Sequence, residues 1–563
     1  AEGDRAAFDG LFCRDSHWRD LLAFTWLLQT LSGHGPVTSA LWDEMQGIQD
    51  LAVAPDRLTP HPTNRANRDC MEAFLAFESP AGHCTGVLRL VPEDGEWRAW
   101  TLMTALDEIH DHPEITGRER PTGNRYARDF RGPNWSDLRA EDMSYTDRDP
   151  AVLVVGGGQA GLAIGARLRH LGVDALIIDR NARIGDNWRL RYHALTLHNQ
   201  VQVNHLPYMP FPASWPTYIP KDKLANWFEA YVEAMELNFW TSTECLGGHY
   251  DEATGQWETR LRLADGAERV MRPRHVVMAT GVSGIPNRPE IATLDRFQGE
   301  VLHSSQYTDG EDWTGKSAIV IGTGNSGHDI SQDLASAGAQ VSMFQRSPSM
   351  VVNLETAQLP YALYDTGPDH ETCDLIAQGT PVGLVRGVHR DLTIKTCEMD
   401  KELLNGLSAR GFRHQYGEDG TGWQFKYLTR GGGYYFNVGA SDMVVDGTIG
   451  LEQFAEIESF SASGATMKDG REIPADLVVL ATGYRPQEEL VARLFGEDTA
   501  MRVGKIWGYE SPDAQELSNM FCRTGQPGLW FIAGSLAQCR IFSKYLGLQI
   551  KADLVGKLPE TAG

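Results

Sequence analysis

The chain has 563 residues, of which 42% are hydrophobic, and it carries a formal net charge of −24 at pH 7. That much apolar material excludes a disordered chain, and the length predicts three to four domains of roughly 150 residues each. The acidic excess argues against nucleic acid or an anionic membrane as partner, because phosphate groups are bound by clustered Lys and Arg. We find neither a signal peptide nor an apolar run of about 18 residues, so we expect a cytoplasmic protein without a membrane span.

The eight cysteines form no C-x-x-C pair, and no cluster of Cys and His has the spacing of a zinc site. We therefore expect free thiols in a reducing compartment and no metal centre. The missing cysteine pair also argues against a disulfide reductase.

Residues 1–125 differ in pattern from the rest of the chain. Apolar residues at helical spacing predict a helix over 18–28, and alternation over 83–91 and 97–106 around a turn at 93–95 predicts a hairpin. The polar stretch 118–149 is rich in Arg, Pro and Gly and predicts a linker that wraps the next domain. We place an α+β domain at 1–125 and the linker at 126–149.

The first glycine-rich turn, 156–161, has the form G-x-G-x-x-G and follows the apolar run 151–155. In a doubly wound fold Gly156 permits the tight turn, Gly158 lets a pyrophosphate approach the backbone, and Gly161 lets helix and strand pack closely. The N-terminus of the helix that follows stabilises the phosphate charge. Asp179 stands 21 residues after Gly158, where a carboxylate can accept hydrogen bonds from ribose hydroxyls, so this turn predicts FAD binding.

The second turn of the same form, 322–327, follows the apolar run 317–321. The same count from Gly324 leads to Gln345, which Arg346 and Ser347 follow. No acid stands there to repel a 2′-phosphate, and Arg346 can pair with one bidentately. The second turn therefore predicts NADPH, with some use of NADH left open.

The remaining pattern is α/β. Hairpins at 257–271 and around 469–470 each lead into an apolar run that ends in Ala-Thr-Gly, and 529–534 predicts the last strand. We predict two Rossmann-type dinucleotide-binding domains, an FAD domain interrupted by an NADP domain, beside an N-terminal α+β cone domain. The predicted boundaries are 150–307 for the first part of the FAD domain, 308–435 for the NADP domain and 436–563 for the second part of the FAD domain.

Between the two turns, Phe297, Gly299, His303 and Tyr307 match the pattern F-x-G-x-x-x-H-x-x-x-Y. Together with the turns, this motif resembles the class B flavoprotein monooxygenases, specifically the flavin-containing monooxygenase group. Related type I Baeyer–Villiger monooxygenases carry Trp at the last position. The stretch 195–212 is also similar to this group, and 216–221 is similar to the YUCCA-type plant enzymes. The extra N-terminal domain resembles a SnoaL or nuclear-transport-factor-like cone, as in the bacterial type II members.

Two positions depart from the pattern of these relatives. Asp186 replaces a glycine of a Gly-Gly-x-Trp sequence near the flavin, and Gly534 is followed by Ser535 where many flavin folds have Asp. Both departures put the local contacts to phosphate and ribityl groups in doubt.

The resemblance implies an FAD-dependent, NADPH-using monooxygenase that inserts one oxygen atom of O2 into a small organic substrate through a peroxyflavin. Baeyer–Villiger oxidation of ketones, with oxidation of sulfur or nitrogen as a related activity, is the leading expectation. The alternatives are an N-hydroxylase or a YUCCA-type oxidative decarboxylase of 2-oxo acids. In another class, an NADPH oxidase or electron-transfer flavoprotein would leave the substrate unoxygenated. The resemblance also implies a homodimer.

Candidate site residues follow from the turns and from the resemblance. Asn199 and His198 are the candidate active-site donors. His303 and Tyr307 are expected to position the crossover between the two domains. The remaining cofactor-binding candidates are Gly156, Gly158, Gln159, Gly161, Asp179, Arg180, Trp188, Thr280, Gly322, Gly324, Asn325, Ser326, Gly327, Arg346, Ser347, Thr482, Gly483 and Gly534.

Two further regions carry hypotheses. The segment 351–435 is rich in Gly, His and aromatic residues and predicts an irregular lid or substrate channel, where we expect substrate specificity. In the N-terminal domain, Asp15, His17 and Asp20 would suit an acid–base site in a cone fold. The alternative for that domain is a non-catalytic role, packing on the monooxygenase or on a dimer partner.

Overall fold

The N-terminal domain is a seven-stranded sheet with two helices. The structure is a computed structural model that describes residues 4–123, 126 and 128–559; positions 124 and 125, where the predicted domain boundary falls, lie outside the described residues. The strand order is β2-β1-β7-β6-β5-β3, with β4 paired to β5, and every neighbouring pair is antiparallel except β1 and β7. The elements are α1 (Arg5–Asp9), β1 (Phe12–Leu21), β2 (Leu28–Ser32), α2 (His34–Glu44), β3 (Gln49–Val53), β4 (His61–Arg65), β5 (Arg68–Glu78), β6 (Gly82–Glu93) and β7 (Glu96–Ile109).

The helix predicted over 18–28 is wrong, because these residues form the end of β1 and the turn into β2. The last four residues of β1 are all buried, the charged Arg19 and Asp20 among them, so apolar and polar residues do not alternate there as in a strand with one exposed face. The buried Asp20 carboxylate then accepts hydrogen bonds from the backbone N–H groups of Phe24 and Thr25, at 3.1 and 2.9 Å, and stabilises the turn. The hairpin predicted over 83–106 is confirmed as β6 and β7.

The polar stretch after this domain lies along the next one and contains helix α3 (Trp135–Ser144). The indole N–H of Trp135 donates to Glu236 at 3.0 Å, and that of Trp240 donates to the carbonyl of Met143 at 2.7 Å. The hydroxyl of Tyr145 donates to Asp174 at 2.6 Å. The stretch is thus tied to the first dinucleotide unit by side chains along its length.

The rest of the chain contains both dinucleotide units. Its elements are β8 (Val152–Val155), α4 (Gln159–His170), β9 (Ala175–Ile178), α5 (Asp186–Arg189), β10 (Thr196–Gln200), β11 (Tyr218–Pro220), α6 (Lys221–Ala234), β12 (Asn238–Trp240), β13 (Glu244–Asp251), β14 (Gln256–Arg262), β15 (Glu268–Met271), β16 (His275–Met278), β17 (Ile285–Pro286), β18 (Glu300–His303), β19 (Ser317–Ile321), α7 (Asn325–Ser336), β20 (Gln340–Gln345), β21 (Met350–Asn353), α8 (Ala362–Thr366), α9 (His370–Gln378), α10 (Val382–Met399), α11 (Lys401–Ala409), α12 (Gly422–Arg430), β22 (Tyr434–Asn437), α13 (Ala440–Asp446), β23 (Ile449–Gln453), β24 (Ile457–Ser461), β25 (Gly464–Met467), β26 (Glu472–Pro474), β27 (Leu477–Leu480), β28 (Tyr484–Arg485), α14 (Gln487–Phe495), α15 (Glu497–Val503), β29 (Leu529–Phe531) and α16 (Leu536–Leu554).

Two parallel sheets form the centres of these units, in the orders β12-β9-β8-β16-β29 and β18-β27-β19-β20-β23. In the first sheet a glycine turn and α4 follow β8, and in the second sheet a glycine turn and α7 follow β19, as in Rossmann-type folds. The predicted hairpins are confirmed as antiparallel pairs within β13-β14-β15 and β24-β25-β26, and the predicted last strand is β29.

Membership of the second sheet differs from the predicted boundaries at 308 and 435. β18 lies before the first boundary, and β23 and β27 lie after the second, yet all three belong to the second sheet. The sequence pattern predicts that an apolar run is a parallel strand, but it does not predict which strand lies beside it in the sheet. The predicted boundaries therefore place β27 in the FAD domain, because its sequence is similar to that of β16.

The segment 351–435 is mostly helical, which corrects the irregular lid predicted there. Helices α8 to α12 are separated by Gly and Pro residues that made the segment resemble a loop, among them Gly367, Pro368 and Pro381. The Asp369 side chain accepts a hydrogen bond from the N–H of Thr372 at 3.0 Å and caps α9.

The N-terminal domain packs on the C-terminus of α9 through two buried arginines. The Arg89 guanidinium donates to the carbonyls of Ile376 and Gly379, at 2.8 and 2.7 Å, and Arg19 donates to the carbonyl of Gln378 at 3.1 Å. The last carbonyls of a helix lack intrahelical partners and carry partial negative charge, so these cations stabilise the helix end. Among the helices of the described residues, none is long and apolar enough to cross a membrane.

Candidate active site between the two glycine turns

The first glycine turn leaves no room for a side chain at any of the three glycines of its motif. Gly156 has φ +113°, and a Cβ there would lie 2.5 Å from the carbonyl oxygen of Ala279. A Cβ on Gly161 would lie 1.9 Å from the carbonyl oxygen of Gly156, and one on Gly158 would lie 2.8 Å from Asn187 Nδ2. Gly158 precedes α4, whose first N–H groups are therefore free to bind an anion.

The Asp179 carboxylate lies at this turn, at the end of β9. Its Oδ2 accepts from the N–H of Gly157 at 2.7 Å, and its Oδ1 accepts from the N–H of Asn181 at 2.8 Å. A carboxylate has about four lone-pair positions, so it can still accept from ribose hydroxyls. Arg180 is exposed beside it.

Two buried oxygen atoms next to this turn have no hydrogen-bond partner in the described protein, Thr280 Oγ1 and Asn187 Oδ1. Buried polar atoms are nearly always paired, so both fit a polar ligand. Trp188 Nε1 donates to Gln159 at 3.2 Å, and Gln159 Nε2 donates to the carbonyl of Gly534 at 3.1 Å. The residues present therefore fit FAD. Sequence reasoning named Thr280 but missed Asn187, which no motif marks.

The two departures from the family pattern have local structural roles. The Asp186 carboxylate accepts from the N–H of Arg183 at 3.1 Å and pairs with Arg189, so it stabilises its own loop. Ser535 caps α16, because its hydroxyl accepts from the N–H of Gln538 at 3.2 Å.

The second turn repeats the geometry of the first. Gly322 has φ +124°, and its Cβ would lie 2.3 Å from the carbonyl oxygen of Ala481; a Cβ on Gly327 would lie 2.1 Å from the carbonyl oxygen of Gly322. Gly324 precedes α7, and Asn325 and the half-buried Ser326 are its first residues. The side chain of Asn325 accepts a hydrogen bond from the N–H of Phe436 at 3.1 Å, which ties α7 to β22.

Arg346 and Ser347 are exposed after β20, where the adenosine ribose of a dinucleotide lies in this fold. Gln345 is buried and accepts from the N–H of Arg413 at 2.8 Å, and Arg413 Nη2 donates to the carbonyl of Arg346 at 2.8 Å. Within the described ranges neither arginine has an acid within ion-pair distance. The pair fits a 2′-phosphate. Sequence reasoning missed Arg413, which follows Arg346 by 67 residues.

The motif residues His303 and Tyr307 are bonded to the protein itself. Nδ1 of His303 accepts from the N–H of Ser305 at 3.1 Å, so Nε2 carries the proton and donates to the carbonyl of Gly483 at 3.0 Å. The Tyr307 hydroxyl donates to Asp333 at 2.6 Å. These bonds fix the crossover into the second unit, and burial lowers the pKa of His303.

The two Ala-Thr-Gly ends lie at the junction of the units. The Thr482 hydroxyl donates to the carbonyl of Asn287 at 2.6 Å, and Gln487 Nε2 donates to the carbonyl of Gly281 at 3.0 Å. The short strands β17 and β28 pair antiparallel beside them. Gly483 has φ +77° and open space around its Cα.

His198 and Asn199 lie on β10, facing the inserted helical segment. The His198 ring packs edge-on against Phe436, with ring centroids 4.7 Å apart, and burial lowers the pKa of His198 to about 4. The imidazole is therefore neutral at physiological pH and carries one N–H donor. The side chain of Asn199 is hydrogen bonded to that of Tyr361.

Four aromatic side chains pack beside His198, and we call them the aromatic cluster: Tyr361, Trp423, Tyr434 and Phe436. Trp423 lies 4.8 Å from Phe436 and 5.9 Å from Tyr434, centroid to centroid, and 6.0 Å from Tyr361. A Cβ on Gly324 would lie 3.7 Å from the carbonyl oxygen of Tyr434, so the cluster borders the second turn.

The same helix that carries Trp423 also touches the first unit. The Tyr427 hydroxyl donates to Gln538 at 3.0 Å. Gln538 lies in the first turn of α16, which begins two residues after Gly534. The aromatic cluster therefore lies between the two glycine turns. The predicted specificity segment, 351–435, contains Tyr361, Trp423 and Tyr434, although the sequence did not single out Tyr361.

A buried cation, Lys426, lies three residues after Trp423 of the aromatic cluster, on the same helix. Lys426 is 6% exposed, its ammonium donates to Gln415 at 2.5 Å, and burial lowers its pKa. Among residues that the structure describes, no acid lies within ion-pair distance of it. Buried charges are normally paired, so this ammonium suits an anionic group of a ligand.

Known proteins with similar sequences are flavin monooxygenases. The family model described as pyridine nucleotide-disulphide oxidoreductase matches residues 153–359. Indole-3-pyruvate monooxygenase YUCCA1 of Oryza sativa subsp. japonica is 33% identical over 339 residues, which are 60% of this chain and 77% of that protein. YUCCA8 of Oryza sativa subsp. indica is 30% identical over 73% of this chain and 91% of its own length. The chain belongs to the flavin-containing monooxygenase family.

A solved structure has a similar fold to this monooxygenase. Cyclohexanone monooxygenase from Rhodococcus sp. Phi1, bound to NADP+, superposes with a TM-score of 0.52 at 18% identity, covering 73% of this chain and 84% of that one. The monooxygenase is an oxidoreductase that acts with FAD, NADPH and O2. Its eight cysteines are free thiols, as predicted, and six of them are buried.

Substitution of Arg346 tests the assignment of the second turn. We expect Arg346→Ala to raise the KM for NADPH by about tenfold to 100-fold, because a charge-assisted contact to the 2′-phosphate is lost. The KM for NADH should change little, since NADH lacks that phosphate. Steady-state kinetics with both cofactors measure this, with the exposed Arg262→Ala as control. Equal effects on NADPH and NADH would contradict the assignment.

The buried His328 under the second turn makes stability sensitive to acid. It is fully buried, stacks on Tyr435 with centroids 4.0 Å apart, and has a pKa lowered by burial to about 4. The unfolded chain binds the proton near pH 6.5 and the folded chain near pH 4, so stability falls as the pH drops below 6.5. Between pH 7 and pH 5 this group lowers the free energy of unfolding by about 2 kcal/mol.

We therefore expect the free energy of unfolding of His328→Phe to fall by about 2 kcal/mol less than that of the wild type between pH 7 and pH 5. Urea unfolding at several pH values measures the difference, and the exposed His249→Phe serves as the control. The prediction would be contradicted if the free energy of unfolding depended on pH in the same way in the wild type and in His328→Phe.

The structure does not bring the three N-terminal candidates together. Asp15 is hydrogen bonded to Cys13 and pairs with Arg68, whereas His17 Nδ1 lies 2.8 Å from Ser32 Oγ. Asp20 is buried among four donors, and burial raises its pKa. The arrangement offers no shared acid–base site.

Proposed function

We propose that this monooxygenase inserts an oxygen atom into a small carbonyl compound held against the aromatic cluster, as in the Baeyer–Villiger oxidation of a ketone to an ester or lactone. Oxidation of sulfur or nitrogen is a related activity of the same site. The observation that carries the proposal is the position of the aromatic cluster, between the two glycine turns and against the neutral His198. Such a site suits an apolar substrate that needs few polar contacts.

When bound, FAD supplies the activation of dioxygen, and NADPH supplies the hydride. The residues of this chain bind, orient and exclude water. The aromatic cluster covers the substrate from the side of the inserted helices, which keeps stray protons away. The amide of Asn199 and the single N–H of neutral His198 are donors that suit the substrate carbonyl oxygen as negative charge develops on it.

A second candidate function is the oxidative decarboxylation of an aromatic 2-oxo acid. Lys426 favours it, because a buried ammonium without an acid partner next to aromatic rings suits an aromatic carboxylate. The relatives at 30–33% identity are named indole-3-pyruvate monooxygenases, whereas the cyclohexanone monooxygenase is similar in fold alone. N-hydroxylation is a further alternative within the enzyme class.

Two substrates of nearly equal shape separate the candidates. Phenylacetone and phenylpyruvate differ only in a methyl group where the acid has its carboxylate. Product analysis by mass spectrometry should find benzyl acetate from the ketone under the first proposal and phenylacetate from the 2-oxo acid under the second. Conversion of thioethers or amines alone would overturn both.

A substitution at Lys426 tests the role given to its charge. We expect Lys426→Gln to raise the KM for phenylpyruvate by about tenfold or more while the KM for phenylacetone changes little, because a hydrogen bond to a charged group is lost only with the acid. The exposed Lys468→Gln is the matched control. Parallel changes for both substrates would show that Lys426 acts through structure or through the nicotinamide cofactor.

For the N-terminal domain we propose a SnoaL-like, non-catalytic role as a brace of the inserted helices. The contacts of Arg89 and Arg19 with the end of α9 support it, as does the saturated environment of Asp20. The resemblance to type II monooxygenases favours a homodimer in the cytoplasm. Light scattering after size-exclusion chromatography tests the oligomeric state.

A further inference from the structure

We propose that Glu78, His83 and His110 bind a divalent transition-metal ion such as zinc at one end of the N-terminal sheet. The three residues lie where β5, β6 and β7 come together. Two imidazoles and one carboxylate are a donor set that zinc accepts, with a water molecule as the fourth ligand. The proposal is independent of the reaction at the aromatic cluster.

Strand register places two of the ligands opposite each other. Glu78 on β5 is the direct partner of His83 on β6. Directly opposite residues have Cβ atoms about 4.5–5.5 Å apart on the same face of a sheet. His110 follows the end of β7, and its ring lies 5.4 Å from that of His83, centroid to centroid.

The ligand atoms are almost close enough for an ion. One atom each of Glu78, His83 and His110 lies within 4.8 Å of the other two. His110 Nε2 lies 3.7 Å from Glu78 Oε2, and His83 Nδ1 lies 2.5 Å from Glu78 Oε1. Zinc bonds to nitrogen and oxygen are about 2.0–2.2 Å long, so small rotations of these side chains bring two nitrogens and one oxygen within bonding distance of one ion.

A second observation at the same place points to a missing ligand. Glu78 Oε2 is buried and has no hydrogen-bond partner in the part of the chain that the structure describes. A buried carboxylate oxygen is normally satisfied, and an ion between Glu78 and His110 would satisfy this one. Both imidazoles must be unprotonated to bind metal, and His83 is exposed enough to admit an ion from solvent.

A neighbouring cation, Lys557, does not occupy the site. Lys557 donates from its ammonium to the carbonyl of His110 and lies 3.6 Å from Asp111, so it contacts the backbone after β7. His110 Nε2 lies 3.1 Å from the carbonyl oxygen of Ser79, and His83 Nδ1 lies 2.5 Å from Glu78 Oε1. A bound ion would replace these two hydrogen bonds. The sequence did not show this cluster, because its ligands are neighbours across strands and have no regular spacing along the chain.

Calorimetric titration of the chelator-treated, FAD-loaded full chain with Zn²⁺ tests the proposal. We expect one ion per chain, and we expect His83→Asn and His110→Asn each to lower the affinity by at least about tenfold. The control is His61→Asn, since His61 lies 3.7 Å from a carboxylate of the same domain but has no second histidine beside it.

A thermal unfolding curve with and without Zn²⁺ gives a second readout that does not depend on activity. The ion should raise the unfolding temperature of the wild type and of His61→Asn but not that of the double variant His83→Asn/His110→Asn. The proposal is overturned if Zn²⁺ binds no tighter to the wild type than to this double variant. Loss of Zn²⁺ binding with monooxygenase activity retained would leave the proposed function intact.

Discussion

Gly161→Ala will give a protein that is purified largely without FAD. The new Cβ would lie 1.9 Å from the carbonyl oxygen of Gly156, an atom of the turn itself, so the turn or α4 has to move. Overpacking of this kind costs about 1–3 kcal/mol. The displaced atoms are those that approach the pyrophosphate. We therefore expect FAD affinity to fall by about tenfold to 100-fold. The ratio of flavin absorbance to protein absorbance measures the occupancy.

Gly387→Ala is the matched control, because Gly387 lies within helix α10 and nothing is within 4 Å of its would-be Cβ. Alanine favours a helix over glycine by about 0.5–1 kcal/mol, so this variant should retain FAD and be as stable as the wild type. FAD content in Gly161→Ala equal to that of the control would show that the first turn does not bind the flavin pyrophosphate.

Arg540→Met will destabilise the protein by about 3–5 kcal/mol, because it leaves a buried carboxylate without its cation. Arg540 on α16 bonds to both oxygens of Asp374 on α9, at 2.9 and 2.7 Å. Its third nitrogen donates to the carbonyls of Val203 and His205, at 2.8 and 3.1 Å, just after β10. One guanidinium therefore joins the FAD unit, the inserted helices and the segment that carries His198.

A double-mutant cycle separates the ion pair from its surroundings. Asp374→Leu combined with Arg540→Met removes both charges, and we expect this double variant to be more stable than Arg540→Met alone. The exposed pair of Arg272 and Glu258 is the control, and its disruption should cost about 1 kcal/mol or less. Additive losses in the cycle at Arg540 would contradict a coupled buried pair. Denaturant unfolding gives all four free energies.

The local parts of the site were predictable from the sequence. Gly156 and Gly322 need a positive φ, and Gly161 and Gly327 need a close approach of helix to turn, so only glycine serves at these positions and the motif is visible. The hairpins ending at β15 and β26 were visible too, because alternation and a turn define them. Each of these features is set by residues near to one another in the chain.

The parts that depend on distant contacts were not predictable. Arg413, Tyr361 and Asn187 reach the site from segments without motifs, and their role depends on how the inserted helices pack. The strand at the end of β1 looked helical because tertiary burial on both faces removed its alternation. β27 joined the second sheet although its sequence resembles that of β16, because the neighbour of a parallel strand is chosen by topology.

The central claim is that this chain transfers oxygen to a substrate, and stoichiometry under labelled dioxygen tests it most directly. The FAD-loaded full chain is incubated with NADPH, ¹⁸O2 and a panel of phenylacetone, phenylpyruvate and a thioether, while NADPH, hydrogen peroxide and products are measured together. We predict one ¹⁸O atom in the product for each NADPH oxidised, with at least one of these substrates and with little peroxide. Peroxide equal to the NADPH consumed, with every substrate recovered unlabelled, would contradict the claim and identify an NADPH oxidase.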